Sequence, residues 1–331
     1  ILNFRGSGNI VHEAPRYEKL DWPKTVHYTK TVEAMGYDSA WVVDHFMLGL
    51  DDAIFESWTS LSYLAAITSK IQLGPFVLCN SYRNPALVGK MATTLDILSN
   101  GRLYLGVGAG WHVDEYKAYG YRFPPPRERV ESLRDTLLIL RSMFSEVKSS
   151  FSGKYASIEG AVNNPQPVQR PRPPIMVGAY GDKMLKLIAE LADGWCVSSL
   201  PGDPSDASPE VFRKRSGYLD SCCSKIGRNP EGIDRIWTGH VIVASDKKTA
   251  DERISFTRDK IAREVDSGKM LRVDPDAMIG TFIRGTPSDC LSRMEELCDA
   301  GATNFVLYFD DFPLTKNTEL FSKEVWAKLA S

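Results

Sequence analysis

Short apolar runs alternate with longer helical patterns from one end of this chain to the other, and that alternation limits the possible folds more than any other feature. The runs are Ile1–Phe4, Ala40–Val43, Ile71–Cys79, Arg102–Val107, Pro174–Gly178, Gly194–Ser198, Ile236–Ala244 and Thr303–Phe309. Each is β-branched or aromatic-rich and is bounded by Gly, Pro, Asp or Asn. Strands separated by helices imply a parallel sheet with crossover connections, and eight such strands imply an α/β protein of the (β/α)8 TIM-barrel class. An open doubly wound sheet is the rival. Such sheets usually carry a glycine fingerprint after the first strand, whereas Gly6-Ser7-Gly8 leads into no helical pattern.

A chain of 331 residues accommodates one such barrel as a single domain, with rim insertions expected at about 151–173 and 247–284. The first insertion contains Pro165-Gln166-Pro167-Val168-Gln169-Arg170-Pro171-Arg172-Pro173-Pro174, which must be extended. Two helices carry start signals, Asn84-Pro85 and Thr286-Pro287, each a capping side chain before proline at the first helical position. Their apolar stripes, Leu87, Met91, Leu95 and Leu98 in one and Leu291, Met294 and Leu297 in the other, are expected to face the barrel wall.

The net charge of −2 is spread without a basic or acidic block, so nucleic acid and anionic membrane are poor partners and a small molecule is a better one. The chain has no apolar stretch of the roughly 18 residues that a membrane span needs, and no signal-peptide layout, so a cytoplasmic location is expected. Cys79, Cys196, Cys222, Cys223, Cys290 and Cys298 form no disulfide framework and read as reduced packing residues. The five histidines show no metal-ligand spacing, and no Gly-x-Ser-x-Gly elbow follows a strand.

Barrel active sites lie at the carboxyl ends of the strands. The second strand ends at Asp44 and His45, and a histidine there can move a proton near neutral pH or can simply be an imidazole oriented by a carboxylate. The fourth runs into Gly106-Val107-Gly108-Ala109-Gly110-Trp111, then His112, Asp114 and Glu115. Alternate glycines allow a flat ligand to approach the backbone, and they also serve tight strand ends. The fifth passes through Gly178-Ala179-Tyr180-Gly181 into a helix, a turn suited to an anion or to a plain strand-to-helix connection.

These segments together resemble a known family. Gly36-Tyr37-Asp38-Ser39-Ala40-Trp41-Val42-Val43-Asp44-His45-Phe46, Ser81-Tyr82-Arg83-Asn84-Pro85-Ala86, Ser99-Asn100-Gly101-Arg102, the Gly106–Trp111 run with Glu115, Pro165-Gln166-Pro167, Pro174–Gly178, Ala192-Asp193-Gly194-Trp195 and Gly285-Thr286-Pro287 follow the order of the bacterial luciferase-like monooxygenases and their deazaflavin-dependent relatives. Tyr82-Arg83-Asn84-Pro85, Gly110-Trp111 and Tyr119-Gly120-Tyr121 look most like the branch that uses coenzyme F420.

The resemblance implies a bacterial luciferase-like TIM barrel with the cofactor ring at its mouth, the phosphate on the Gly178–Gly181 turn, and a non-proline cis peptide at Phe76-Val77. It implies hydride transfer between F420 and a small organic substrate, with His45 as proton acceptor. The cofactor contacts it implies are Asp44, Phe76, Val77, Cys79, Asn80, Gly108, Ala109, Gly110, Asp114, Gly178, Ala179, Tyr180, Gly181 and Trp195. Gly49 and Trp111 stand where the family's sugar-phosphate dehydrogenases have tryptophan and glutamate, a departure that argues against sugar-phosphate oxidation. The alternatives are an FMN-dependent monooxygenase, served by a separate reductase, and a non-catalytic homologue. The family also implies a homodimer, and substrate choice falls to the loops Gly6–Trp22, Leu48–Glu56 and Lys247–Arg284.

Overall fold

The computed structural model describes residues 6–10, 20–48, 52–198, 204–266 and 273–329. Its strands are β1 (Gly6–Ile10), β2 (Ser39–Val42), β3 (Gln72–Pro75), β4 (Leu78–Cys79), β5 (Leu105–Gly108), β6 (Lys148–Ser152), β7 (Ser157–Val162), β8 (Ile175–Gly178), β9 (Gly194–Ser198), β10 (Asp234–Val243), β11 (Ile283–Gly285) and β12 (Asn304–Phe309). The main sheet runs β3-β2-β1-β12-β10-β9-β8-β5-β4, with every pairing parallel. Both of its ends belong to one stretch of chain, because β3 and β4 are halves of the run 72–79. A parallel bridge from Leu73 to Leu103 and the pairing of Leu78 with Val107 close the ring. The sheet is therefore a closed eight-stranded barrel, and the open-sheet rival falls.

The first apolar run, Ile1–Phe4, lies outside the described residues. The first described strand is instead Gly6–Ile10, in a segment that the sequence pattern assigned to a loop. Its sequence, Gly-Ser-Gly-Asn-Ile, has almost no strand signal of its own. Backbone pairing on both sides, to β12 and to β2, puts it in the barrel.

Inside the barrel, Trp41, Val43, Tyr104, Met176, Cys196, Ile236 and Val306 form one cluster, while a larger cluster fills the layer between strands and helices. Burying one of these large apolar side chains contributes about 1.5–3 kcal/mol. Glycines make the inner layer possible. A Cβ on Gly74 would lie 2.5 Å from the Trp41 ring and 2.2 Å from the Tyr104 carbonyl. A Cβ on Gly106 would lie 2.2 Å from the Pro75 carbonyl and 2.9 Å from Val77, and one on Gly108 would lie 2.6 Å from Val77.

Both start signals form the caps expected of them. The Asn84 side chain accepts from the Ala86 and Leu87 amides, and Thr286 forms a capping box with Asp289. The second stripe faces inward, with Met294 and Leu297 fully buried. The first stripe requires a correction: in the helix Pro85–Leu98 the buried row is Val88, Ala92 and Leu95, whereas Leu87 and Leu98 are 53% and 70% exposed. At 100° per residue, a one-residue error in phase exchanges the wall face for its neighbour.

Before β8, β6 and β7 pair as an antiparallel hairpin, which starts a little earlier than the expected insertion. The proline-rich stretch after it is extended and is pinned by the buried Asp96, which accepts from the amides of Val168 and Gln169 and from the Gln169 side chain. Gln169 also donates to the Leu103 carbonyl, at the amino end of β5. This insertion thus lies away from the carboxyl rim. The helices Lys247–Asp266 and Pro275–Gly280 form a small core of their own with Ile242 and Phe282, and β11 adds beside the end of β10. Among the described residues, no helix is long and apolar enough to cross a membrane.

Closure through the glycines is testable by thermal unfolding. Gly106→Ala should destabilise by about 1–3 kcal/mol, since the new methyl meets backbone oxygen. Gly181→Ala, with nothing within 4 Å of the added atom, should leave the midpoint unchanged. Equal midpoints for the two variants would refute the clearance argument.

Candidate active site at the carboxyl rim

The end of β2 brings out two consecutive polar residues with opposite fates. Asp44 is buried, and both of its oxygens are committed. They accept a bidentate fork from Arg83 at 2.8 and 2.9 Å, the Ser57 hydroxyl at 2.5 Å and the Cys79 amide at 2.8 Å. Asp44 therefore ties β2 to β4 and to the helix Ser57–Ile67. Its carboxylate has little left to offer a ligand.

His45 is placed differently. Its Nδ1 lies 3.0 Å from both carboxylate oxygens of Glu115, which is fully buried. Glu115 also accepts the amides of Phe46 and Met47 at 2.8 and 2.9 Å and the Tyr82 hydroxyl at 2.9 Å. Burial alone would raise the Glu115 carboxyl, but the His45 ring and the two amides outweigh it and hold the group below the usual carboxylate range. A carboxylate that accepts from Nδ1–H leaves the lone pair on Nε2. Among the described residues, Nε2 has no hydrogen-bond partner, and the side chain is 15% exposed. This is the geometry of a fixed proton acceptor.

Beside it, the peptide Phe76-Val77 is cis, at the position that the sequence resemblance implies. The Val77 side chain lies over Gly106, Gly108 and Gly178, so the alternate glycines make room for a protein side chain. Phe76 packs edge-on against Trp41 at 5.8 Å. Gly110, at φ +78°, brings the backbone against the Tyr116 hydroxyl and the Cys79 sulfur, which are 3.0 Å apart. Burial pushes the Cys79 thiol up to about 11, so it stays protonated. Asn80 donates to Ser132 at 3.1 Å, but its buried Oδ1 has no partner. Ala109, between the two glycines, packs partly buried against the outer layer.

On the far side of β5, the turn Gly178-Ala179-Tyr180-Gly181 leads into the helix Asp182–Leu191, whose N-cap glycine provides no side-chain hydrogen bond. No side chain caps the first turn, where the Met184 amide donates to the Gly181 carbonyl at 2.9 Å, and the space at Gly181 is open. Trp195 is fully buried in the outer layer, stacked on Phe212 at 4.9 Å, and donates to the Ala179 carbonyl at 3.0 Å. It braces the turn from behind and does not face the mouth. Tyr180 lies under the Arg215 guanidinium at 5.8 Å. Asp114 is exposed and 3.8 Å from Lys117, outside the cluster that surrounds His45.

The structure thus gathers His45, Phe76, Val77, Cys79, Asn80 and the glycine turns around one rim, with Asp44 and Trp195 behind it. Sequence reasoning undervalued four residues. Glu115, Tyr82 and Arg83 were legible only as parts of a motif, since nothing local shows that Glu115 reaches 70 positions back to His45. Trp111, read from the sequence only as part of the glycine-rich motif, is 38% exposed and stands edge-on to the His45 ring at 5.4 Å. Among the described residues, no group of three potential metal-ligating side chains is present.

The sequence profile of the family described as luciferase-like monooxygenase matches residues 4–304. A 5,10-methylenetetrahydromethanopterin reductase of Archaeoglobus fulgidus is 28% identical over 334 residues, covering 92% of this chain and 95% of its own. An F420-dependent glucose-6-phosphate dehydrogenase of Kineococcus radiotolerans is 28% identical over 316 residues, with 91% of each chain covered. Among solved structures, the coenzyme F420 dependent tetrahydromethanopterin reductase of Methanopyrus kandleri superposes with a TM-score of 0.77 at 23% identity, covering 98% of this chain and 99% of that one. This last likeness is one of fold.

Glu115→Gln is the direct probe of the histidine's anchor. The amide cannot accept from all the donors now aimed at it, so stability should fall by about 1–3 kcal/mol at neutral pH. Because the folded-state carboxyl lies below its ordinary value of 4.5, its contribution is present above that pH and is lost on acidification. Wild type and variant should therefore converge in stability as the pH falls below 4.5. A difference that does not shrink on acidification would show that the carboxylate charge is not what matters.

Proposed function

This chain belongs to the luciferase-like monooxygenase family, and from that membership we propose that it is an oxidoreductase exchanging a hydride between coenzyme F420 and a small organic substrate. The observation that carries the proposal is His45, fixed by Glu115 with Nε2 unengaged at the mouth of the barrel. Two full-length relatives named as an F420-dependent dehydrogenase and a methylenetetrahydromethanopterin reductase support the same reading.

The residues present fit a planar ring with a phosphorylated tail. The Val77 side chain, lying over Gly106 and Gly108, offers a flat apolar platform at the rim. The unpartnered Asn80 Oδ1 can accept a hydrogen bond from a ring edge. The amides after Gly181, which no side chain caps, suit a phosphate, with the exposed Asp182 and Lys183 cancelling in charge. Bound there, the deazaflavin would supply a carbon that accepts or donates hydride. His45 Nε2 takes the substrate's hydroxyl proton as the hydride leaves carbon, and returns it in the opposite direction. Glu115 holds the imidazole in the tautomer that this role needs and stabilises it once protonated.

The family's monooxygenase description favours, as a second reading, an FMN enzyme fed with reduced flavin by a partner reductase. The exposed Leu98, with Trp58, Met91 and Leu95, lines a partly apolar hollow that also holds Ser62, Lys90 and Thr94, and this surface supports a homodimer.

Titration of purified protein with F420, read by cofactor fluorescence, should give saturable binding at least about tenfold tighter than for FMN. The reverse order would establish the flavin reading. His45→Asn should lower turnover by about 10²–10⁴-fold with little change in cofactor affinity, whereas unchanged turnover removes His45 from the mechanism. Leu98→Glu should shift the sedimentation of a dimer to that of a monomer, and an unaffected dimer would place the contact elsewhere.

A further inference from the structure

Deepening that oxidoreductase reading, we infer that the substrate is a flat, uncharged, ring-bearing carbonyl compound or its alcohol, held against the Trp111 indole. Trp111 follows the φ +78° turn at Gly110, which projects it from the strand end into the rim. Its ring stands edge-on to His45 at 5.4 Å and 72°, and contacts His112 at 4.8 Å. It remains 38% exposed, a high value for the largest apolar side chain when it sits next to the candidate proton acceptor. His112 is fixed in turn, because its Nδ1 lies 3.4 Å from the Glu115 amide.

The rest of the rim matches this character. The barrel's inner cluster ends upward in partly buried apolar side chains, Leu48, Ile54, Phe76, Val77 and Tyr308. On the side of β10 and β12, the His240 ring stacks on Phe282 at 4.6 Å and on Tyr308 at 5.0 Å. Several ionised groups near these walls are paired with one another, while Arg129 donates to the Gly110 carbonyl and lies over the Phe123 ring, and Asp311 accepts the Asn317 amide. Arg83 is bound to Asp44 and Glu56, Glu115 to His45, and Asp310 to Arg253. Arg284, on β11, turns back onto the Ile279 carbonyl.

A phosphorylated sugar would have to desolvate its charge against aromatic faces, whereas a flat apolar ring gains by stacking there. In the reductive direction, hydride from the reduced deazaflavin adds to the carbonyl carbon. The C=O π pair moves to oxygen, and that oxygen takes the proton from His45 Nε2, giving the alcohol and the oxidised cofactor.

The test compares naphthyl methyl ketone, acetone and glucose 6-phosphate. Calorimetry on cofactor-free protein should show binding of the naphthyl ketone, weakened about tenfold or more in Trp111→Ala and retained in Trp111→Phe. With reduced F420, kcat/KM for the naphthyl ketone should exceed that for acetone by about 100-fold. Trp111→Ala should erase most of that preference through KM, with kcat nearly unchanged. Glucose 6-phosphate should not be oxidised by F420. Ketone binding that ignores Trp111, or a preference for the sugar phosphate, overturns the inference. Ketone binding through Trp111 in a protein that does not bind F420 would instead defeat the cofactor reading and leave this pocket assignment standing.

Discussion

Everything at the candidate site depends on how the barrel closes between the stretch 72–79 and β5. Two strands cannot approach closely there while side chains fill the gap, and three glycines, Gly74, Gly106 and Gly108, remove them. The clearance admits Trp41 to the barrel interior and lets Val77 rest across β5 and β8. The same contact that shuts the cylinder therefore shapes the floor of its mouth. Steric exclusion acts as a positive design element here, because the absence of a few methyl groups decides where larger side chains go.

Above that floor, two buried carboxylates divide the work. Asp44 is bound into a bidentate pair with Arg83 and joins three elements of the rim. Glu115 instead accepts two amides and a phenol while holding an imidazole. Both charges are removed from water, and both are tolerable only because every lone pair meets a donor. The result is a rim whose ionic interactions point sideways and inward. A fixed histidine and aromatic faces are left to meet whatever enters.

That division separates parts of the rim shaped by backbone from parts shaped by side chains. Around Val77 and Gly181 the rim is set by backbone features: a cis peptide, a helix start without a side-chain cap and glycine turns. Backbone features tolerate wide variation in side chains, consistent with relatives 28% identical over nearly the full chain. Elsewhere the rim is built from side chains, with Trp111, Tyr308 and Phe282 prominent. One barrel can therefore keep its redox chemistry and change its substrate by exchanging a few residues at loop and strand ends.

Periodicity and turn chemistry are local, and what they encode was legible in the amino-acid order alone. The alternation of strands and helices, the caps at Asn84 and Thr286, and the strand ends carrying His45 and Gly178 could all be read without coordinates, while the site of the cis peptide came only from the family resemblance. Where the signal was weak or ambiguous in phase, reading failed: Gly6–Ile10 is a strand only because its neighbours pair with it, and Leu87 and Leu98 face outward by one residue's rotation. Contacts across long separations were out of reach. That Glu115 grips His45, that Arg83 takes up Asp44, and that Trp195 supports the turn from the outer layer while Trp111 stands at the mouth were all decided by the closed barrel. A sequence fixes which way a side chain leaves its own strand or helix, but only the packed tertiary structure determines what it meets there.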